Sequence, residues 1–129
     1  MDCGFSSVQA AVDAIARGEV VIVVDAEDRE NEGDFVCAAE KATPGNVNFI
    51  LTGRGQLCAP ILPDAARRLD LTPVVGVNTA PLGTAFLTPI DHRSVKTGIT
   101  AEERALTIRA MIRPDSSSSD FVRPGHVYP

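Results

Sequence analysis

Residues 25–34 carry the clearest chemical signal in the sequence, because six of these ten residues are carboxylates. Clustered carboxylate oxygens are ligands that suit a hard cation such as Mg²⁺. Crowded carboxylates also raise one another's pKa, which favours work as a general acid or base. The run follows an apolar, strand-like segment, so we expect it to be held at the edge of the core, where functional loops are common.

Within this run, Glu30, Glu32 and Asp34 stand at alternate positions. In an extended backbone such side chains point to the same side, so the three carboxylates would share one face. Arg29 carries a positive charge that offsets their repulsion or binds a phosphate group. This pattern favours a site for a metal or a phosphorylated ligand.

Two other interpretations of the run compete with a functional site. Composition alone favours a solvated acidic turn. An EF-hand calcium loop is excluded, because placing Gly33 at its sixth position puts Ala39 where a bidentate Glu is required. The flanking segments also predict strands, whereas an EF-hand needs helices.

The charge and composition of the 129-residue chain narrow the function classes. Its net charge of -5 opposes binding to nucleic-acid phosphates, so we expect no nucleic-acid partner. The longest apolar run, residues 20–24, is far shorter than the ~20 residues of a membrane span, and the N-terminus has no signal-peptide pattern. Three cysteines, Cys3, Cys37 and Cys58, suit reduced thiols. Together these features predict a cytoplasmic protein without membrane attachment.

Cap signals and apolar periodicity predict four helices. Capping-box pairs at Ser6/Gln9 and Thr100/Glu103 mark two helix starts, and Gly18 ends the first of these helices. Two further helices are predicted at 43–53 and 63–69.

Four strands are predicted at 20–24, 35–39, 56–62 and 84–91. The first is continuous and β-branched, so we expect it to be buried on both faces. The serine tract 116–119 is expected to form a flexible surface loop. Because helices and strands do not alternate regularly, we predict one α+β domain over residues 1–129, with a mixed β-sheet flanked by helices.

The segment 28–34 resembles the acidic loop of the 3,4-dihydroxy-2-butanone-4-phosphate synthase family of riboflavin biosynthesis. Other segments match that family in the same order, and the resemblance spans nearly the whole chain. These segments are 39–41, 53–55 with Cys58, 78–79, 83–86, 97–99, Arg104 with 107–110, and 123–126.

The resemblance implies a lyase that converts ribulose 5-phosphate to 3,4-dihydroxy-2-butanone 4-phosphate and formate. Magnesium is the implied cofactor, with manganese as the alternative metal. By position, Glu30 resembles the family's metal ligand and also contacts substrate, as do Arg29 and Asp34. Glu32 lies beside them as a proton carrier.

Three further residues receive site roles from the resemblance. Thr97 and Cys58 match residues near the substrate, and His126 matches a histidine required for activity. From the residues alone, Cys58 is instead expected to be a core thiol, His126 to end a strand, and His92 to be a surface histidine. The family also implies a homodimer with active sites close to the subunit interface.

The sequence departs from the family pattern in two respects. Lys96 stands where the family usually has Thr. The family chain continues beyond the equivalent of Pro129 with a Gly-His-Thr-Glu segment that holds the second metal ligand, a preceding phosphate-binding Arg and a later catalytic Glu. We therefore expect weak Mg²⁺ binding, little turnover by this chain alone, and exposed apolar surface. The alternative function is a non-catalytic binding or assembly module that keeps the synthase fold, or one part of a split enzyme.

Overall fold

A computed structural model of the chain describes residues 4–129, so Cys3 lies outside the described part. Within this part, the chain forms four helices and four strands, with short 3₁₀ turns at Ala39–Lys41 and Ser118–Asp120. The helices are α1 (Val8–Arg17), α2 (Pro44–Leu51), α3 (Pro63–Arg68) and α4 (Ala101–Met111). The strands are β1 (Val21–Val24), β2 (Gly33–Val36), β3 (Ile90–His92) and β4 (Phe121–Val127).

The strands pair as two antiparallel sheets of two strands each, β1 with β2 and β3 with β4. The β1–β2 register places Val24 opposite Gly33, so the hairpin encloses the acidic run. An isolated parallel bridge joins Cys58 to Tyr128, where the Ala59 amide donates to the Tyr128 carbonyl at 2.8 Å. The α+β prediction is confirmed, although the β structure consists of these small pairs rather than one continuous mixed sheet.

The helix starts follow the cap signals closely. The Thr43 and Thr100 side chains accept from backbone amides at the starts of α2 and α4, as predicted. The first helix is capped by Ser7 rather than Ser6, and it ends at Gly18 in the left-handed conformation. Within residues 4–129, no helix has the length and apolar character needed to cross a membrane.

Two predicted strands are shorter than their apolar sequences suggested. The segment 56–62 contributes only the bridge at Cys58, and the segment 84–91 yields an isolated bridge at Leu87 and strand structure at its end, in β3. Pro60 and Pro89 lie in these segments and lack the N–H that a strand ladder needs. Proline therefore limits both segments to single bridges or short pairs.

The first strand is much more exposed than predicted. Ile22, Val23 and Val24 retain 66%, 49% and 47% of their accessible surface, so the expectation of a strand buried on both faces is wrong. The only strand paired with β1 in the described part of the chain is β2. The apolar composition of a strand shows that its side chains could be buried. Burial also requires another element that packs over the strand.

The core lies where α2 and α4 pack together and α4 covers the β3–β4 pair. Three polar residues are buried with it, Asp91, Thr107 and Ser116. Ser116 donates to the Ala110 carbonyl at 2.7 Å, so the start of the serine tract is packed against α4 instead of forming a surface loop. The largest fully buried side chains are Leu69, Ile90, Met111, Val47, Val127 and Thr107.

Two leucines that flank α3 test this description of the core. Leu69 is fully buried and Leu62 is 77% exposed. We expect Leu69→Ala to lower the free energy of unfolding by about 2–5 kcal/mol, because a buried leucine leaves a cavity. Leu62→Ala is the matched control and should change it by about 0.5 kcal/mol or less. Urea unfolding measures both, and equal effects would contradict the position of the core.

Candidate functional site

The acidic loop between β1 and β2 is organised by one of its own carboxylates, Asp25. The Asp25 Oδ1 atom accepts the Glu32 amide at 2.8 Å, and Oδ2 accepts the Glu30 amide at 2.9 Å. Asn31, between these two amides, has a φ of 52°, in the left-handed region that Asn tolerates. The loop is therefore a closed turn around a carboxylate rather than an extended segment.

Arg29 completes the charge balance of this turn. Its Nη1 atom donates to Asp25 Oδ2 at 3.0 Å and to Glu30 Oε2 at 3.1 Å. The Glu32 and Glu30 amides, followed by Arg29, hold the pKa of Asp25 below its usual value. The carboxylates of Asp25 and Glu30 raise the pKa of Arg29, with Asp25 contributing most. Asp25 and Arg29 are thus both charged at neutral pH.

The other predicted carboxylates of the loop differ in their surroundings. Glu30 is half-buried in the turn, whereas Glu32 and Asp34 are exposed. Strand structure begins only at Gly33, so alternation along β2 covers Asp34 but neither Glu32 nor Glu30. The structure therefore brings the three acids to one loop without placing them on a single strand face.

Among residues 4–129, no group of three His, Cys, Asp or Glu side chains converges in a ready-made metal site. The donor chemistry nevertheless fits magnesium, because this cation binds through one or two carboxylates and keeps several waters. Glu30, Glu32 and Asp34 of the same loop region carry donors of that kind. These residues fit part of a magnesium shell, not a complete protein cage.

A shallow cleft of about 110 Å³ lies beside Asp34. Its walls come from the start of β2 and from the segment after α2, including Gly53 and Gln56. A Cβ atom on Gly53 would lie 3.0 Å from the Phe35 ring, so glycine lets this segment approach β2 closely. The cleft thus depends on a close contact that a larger residue would disturb.

Cys58 lies near this cleft and is exposed, so the expectation of a core thiol is wrong. Partial burial raises the pKa of its thiol, and the negative charge of Asp34 raises it further. Cys58 also forms the bridge to Tyr128. The structure therefore brings Cys58 towards Asp34 on one side and towards β4 on the other.

His126 lies on β4 and is paired with a buried carboxylate. Its Nδ1 atom lies 2.8 Å from Asp91 Oδ2, and its backbone amide donates to Asp91 Oδ1 at 2.9 Å. His92, at the end of β3, is half-buried, and its Nδ1 atom lies 2.8 Å from the Ser94 hydroxyl. The two histidines of the chain therefore have different kinds of partner.

Thr97 is held by Glu103, at the start of α4. The Thr97 hydroxyl donates to Glu103 Oε2 at 2.9 Å, and the Lys96 amide donates to Oε1 at 2.8 Å. These donors, with the Lys96 amide contributing most, lower the pKa of Glu103 to about 2. Gly98, the next residue, packs against the Asp91 carboxylate. Thr97 is thereby placed one residue from the Asp91–His126 pair.

The predicted site residues thus form two groups. Arg29, Glu30, Glu32 and Asp34 share the acidic loop, with Cys58 near Asp34. Thr97 and His126 form the second group, joined through Gly98 and Asp91. Strand β4 connects the two groups, because Tyr128 pairs with Cys58 two residues after His126.

Three acids that hold these groups in place received no site role from the sequence. They are Asp25, Asp91 and Glu103. Asp25 follows the end of β1 and Glu103 lies in the first turn of α4, where a carboxylate commonly accepts free backbone amides, and Asp91 lies in the short strand β3. These positions in the sequence could have indicated a structural role for the acids. They did not indicate which distant residues the acids contact.

Comparison with known proteins identifies relatives over almost the whole chain. A model of the family described as 3,4-dihydroxy-2-butanone 4-phosphate synthase matches residues 9–129. The chain is 56% identical to the riboflavin biosynthesis protein RibBA of Bacillus velezensis and 50% identical to RibBA of Aquifex aeolicus. In both cases the match covers 97% of this chain and 32% of the relative.

Solved structures give the same result. The chain is similar to a crystal structure of 3,4-dihydroxy-2-butanone 4-phosphate synthase in complex with two magnesium ions, with a TM-score of 0.91 and 39% identity. That match covers 97% of this chain and 59% of the solved chain. RibBX, a two-domain synthase from A. baumannii, gives a TM-score of 0.90 and 38% identity, covering 96% of this chain and 37% of RibBX. The chain therefore spans about a third of the curated relatives and under two thirds of these solved chains.

The negative charge of Asp34, which raises the pKa of the Cys58 thiol, predicts a change in thiol reactivity. We expect Asp34→Asn to speed alkylation of Cys58 by iodoacetamide at pH about 8, because removing the negative charge lowers the thiol pKa. Peptide-level mass spectrometry separates Cys58 from the other cysteines. The control Asp28→Asn should leave the rate unchanged, and high salt should shrink the Asp34 effect. An unchanged rate in Asp34→Asn would contradict this effect of the Asp34 charge.

The Glu103 cap predicts a pH dependence of stability. A carboxyl whose folded-state pKa is lowered stabilises the fold above its ordinary pKa, and this contribution disappears as pH falls through the folded-state value. For Glu103 that window runs from 4.5 down to about 2. Glu103→Gln should therefore be less stable than the parent near neutral pH, and the difference should shrink across this window. Urea unfolding at each pH measures it, with Glu102→Gln as the control that should show no such trend.

Proposed function

Because the chain belongs to the 3,4-dihydroxy-2-butanone 4-phosphate synthase family, we propose that it forms the catalytic part of a lyase of riboflavin biosynthesis. The family match confirms the resemblance predicted from residues 28–34. The proposed reaction converts ribulose 5-phosphate to 3,4-dihydroxy-2-butanone 4-phosphate and formate. The observation that carries the proposal is the acidic loop, which Asp25 and Arg29 hold closed beside the cleft at Asp34.

Magnesium is the proposed cofactor, and manganese is its alternative. When bound, the metal polarises a carbonyl and the neighbouring hydroxyls of the sugar. Glu30 is the proposed protein ligand, supported by its oxygen chemistry and by the two magnesium ions in the related synthase structure. Arg29 tethers one oxygen of Glu30 at 3.1 Å, which limits how far this carboxylate can swing. Such support from a neighbouring group is a common way of orienting a metal ligand.

The substrate is proposed to lie between the two groups of site residues. Arg29, Glu30 and Asp34 would contact it from the acidic loop, Cys58 from the cleft, and Thr97 from the loop before α4. The Thr97 hydroxyl already donates to Glu103, so it is left to accept a hydrogen bond from a sugar hydroxyl. The raised pKa of Cys58 favours an uncharged thiol, which is compatible with packing against a sugar near Asp34.

Glu32 and His126 are the proposed proton carriers. Glu32 donates its backbone amide to Asp25 and has an exposed carboxylate, so the main chain is fixed while the acid stays accessible. His126 is exposed on β4, and a neutral imidazole offers one ring nitrogen as donor and the other as acceptor. An enediol reaction needs protons removed and returned at neighbouring carbons, which two such groups can perform.

We also propose that the working protein is a cytoplasmic homodimer without a nucleic-acid partner. The net charge of -5 supports the last point. The exposed apolar side chains of β1 support an arrangement in which another surface covers this strand. Measuring the molecular mass in solution tests the dimer directly.

Formate release from ribulose 5-phosphate with Mg²⁺ tests the proposed activity. We expect Glu30→Gln to lower release by at least about 100-fold, because a neutral amide is a weaker magnesium ligand than a carboxylate. Glu27→Gln is the matched control in the same loop and should keep the parental rate within about twofold. Equal rates for the parent and Glu30→Gln would contradict the role of Glu30.

The same assay tests whether residues 1–129 suffice. Sequence reasoning predicts little turnover by this chain alone, so release should appear or rise when a second polypeptide supplies the family's Gly-His-Thr-Glu segment. Strong release without that polypeptide would show that the expectation is wrong. If both preparations are inactive although the chain is folded, the non-catalytic binding or assembly module becomes the better description.

A further inference from the structure

Tyr128 directly follows the last residue of β4 and lies next to one of the proposed substrate contacts. An isolated parallel bridge pairs Tyr128 with Cys58, and the Ala59 amide donates to the Tyr128 carbonyl at 2.8 Å. Paired strand segments lie about 4.8 Å apart. The side chain of Tyr128 therefore begins beside that of Cys58.

Burial alternates along both segments that form this bridge. Val127 is fully buried, whereas His126 before it is exposed and Tyr128 after it is half-buried. The two sequence neighbours of Cys58 are buried, whereas Cys58 itself is exposed. Side chains alternate between the two faces of an extended chain. His126, Tyr128 and Cys58 therefore share the face that points away from the core.

The aromatic ring of Tyr128 is held in place, and its hydroxyl is free. The ring centroid lies 5.7 Å from that of Phe86, in an edge-to-face arrangement that limits rotation of the tyrosine. In residues 4–129 no group bonds the Tyr128 hydroxyl, and Arg104 Nε is the only buried side-chain polar atom there without a partner. The Tyr128 hydroxyl is therefore accessible to a ligand.

We propose that Tyr128 is a substrate-binding residue, whose hydroxyl bonds a hydroxyl group of the sugar between Cys58 and His126. This inference rests on the proposed function, because it assumes that a sugar phosphate lies between the two groups of site residues. A phenol both donates and accepts hydrogen bonds, as a sugar hydroxyl does. Residues two positions apart on a strand are about 7 Å apart, so one ligand of this size reaches both Tyr128 and His126.

The charges on either side of Tyr128 favour the sugar rather than the phosphate as its partner. The negative charge of Asp34 raises the pKa of the Cys58 thiol, so this charge acts on one side of the tyrosine. On the other side, Asp91 Oδ2 lies 2.8 Å from His126 Nδ1. Carboxylates on both sides repel a phosphate group, whereas they do not repel a neutral hydroxyl.

Replacement of Tyr128 by phenylalanine removes the hydroxyl and keeps the ring that packs against Phe86. In the preparation that releases formate, we expect Tyr128→Phe to raise KM for ribulose 5-phosphate about three- to tenfold, because one neutral hydrogen bond is lost. The kcat value should stay within about twofold of the parent, since this bond is also made in the ground state. A KM equal to that of the parent would contradict the proposal.

Ser119→Ala is the control for loss of a hydroxyl. The Ser119 hydroxyl lies 2.8 Å from that of Ser117, outside both groups of site residues. Ser119→Ala should therefore match the parent in KM and kcat. Urea unfolding should give the same midpoint for Tyr128→Phe and the parent, which separates the binding role of the hydroxyl from packing of the ring.

The spectroscopic test uses the fact that Tyr128 is the only tyrosine in the chain. A chain labelled with ¹³Cζ-tyrosine gives one such signal, which moves when the hydrogen bonding of the phenol changes. We expect ribulose 5-phosphate without Mg²⁺ to shift this signal, and inorganic phosphate at the same concentration to leave it in place. An equal shift with inorganic phosphate would overturn the assignment to a sugar hydroxyl.

Calorimetry of the same titration separates this inference from the proposed function. Weaker binding of ribulose 5-phosphate by Tyr128→Phe, with a shifted signal in the parent, is the expected result. If the parent binds the sugar phosphate but its tyrosine signal stays in place, or if Tyr128→Phe binds it equally well, the role of Tyr128 is overturned. If the folded parent does not bind ribulose 5-phosphate, the proposed function itself fails.

Discussion

The close approach of β4 to β3 is the constraint on which the rest of the structure depends. At Gly125 the two backbones are too near for any side chain to fit between them. This contact fixes the position of His126 relative to Asp91. The chain then continues to Tyr128 and Pro129. The Tyr128 carbonyl accepts the Ala59 amide at 2.8 Å, and the Pro129 carbonyl accepts the Leu87 amide at 3.1 Å. One strand thus ties together segments that are far apart in sequence.

The many acids of the chain divide into two kinds. Asp25, Asp91 and Glu103 each use their oxygens to accept main-chain amides, and by doing so they fix a loop or a strand irregularity. Glu32 and Asp34 have exposed carboxylates instead. The carboxylates that accept amides support the backbone, and the exposed carboxylates face solvent or ligand. An acidic run in a sequence can therefore include a carboxylate that fixes the backbone of the run itself. A count of carboxylates does not show which one has this role.

Local signals predicted the helices well, because caps and stops act within one turn of chain. Thr43, Thr100 and Gly18 define helix ends as expected. The strands were less predictable, since pairing and burial depend on distant partners. The exposure of β1 and of Cys58 could not be read from apolar composition. The acidic loop was found from sequence, whereas the 35-residue separation between Asp91 and His126 hid their pairing until the β3–β4 register was known.

The exposed edge of β1 has a consequence for how the protein behaves in solution. Within the described residues, this strand bonds to β2 on one side, and residues 21–24 carry neither charge nor proline. Natural proteins use those two features to stop strands of neighbouring molecules from joining. An uncharged β-branched edge is a template onto which another chain can add a strand. We therefore expect association at high concentration to involve the four valine and isoleucine residues of β1.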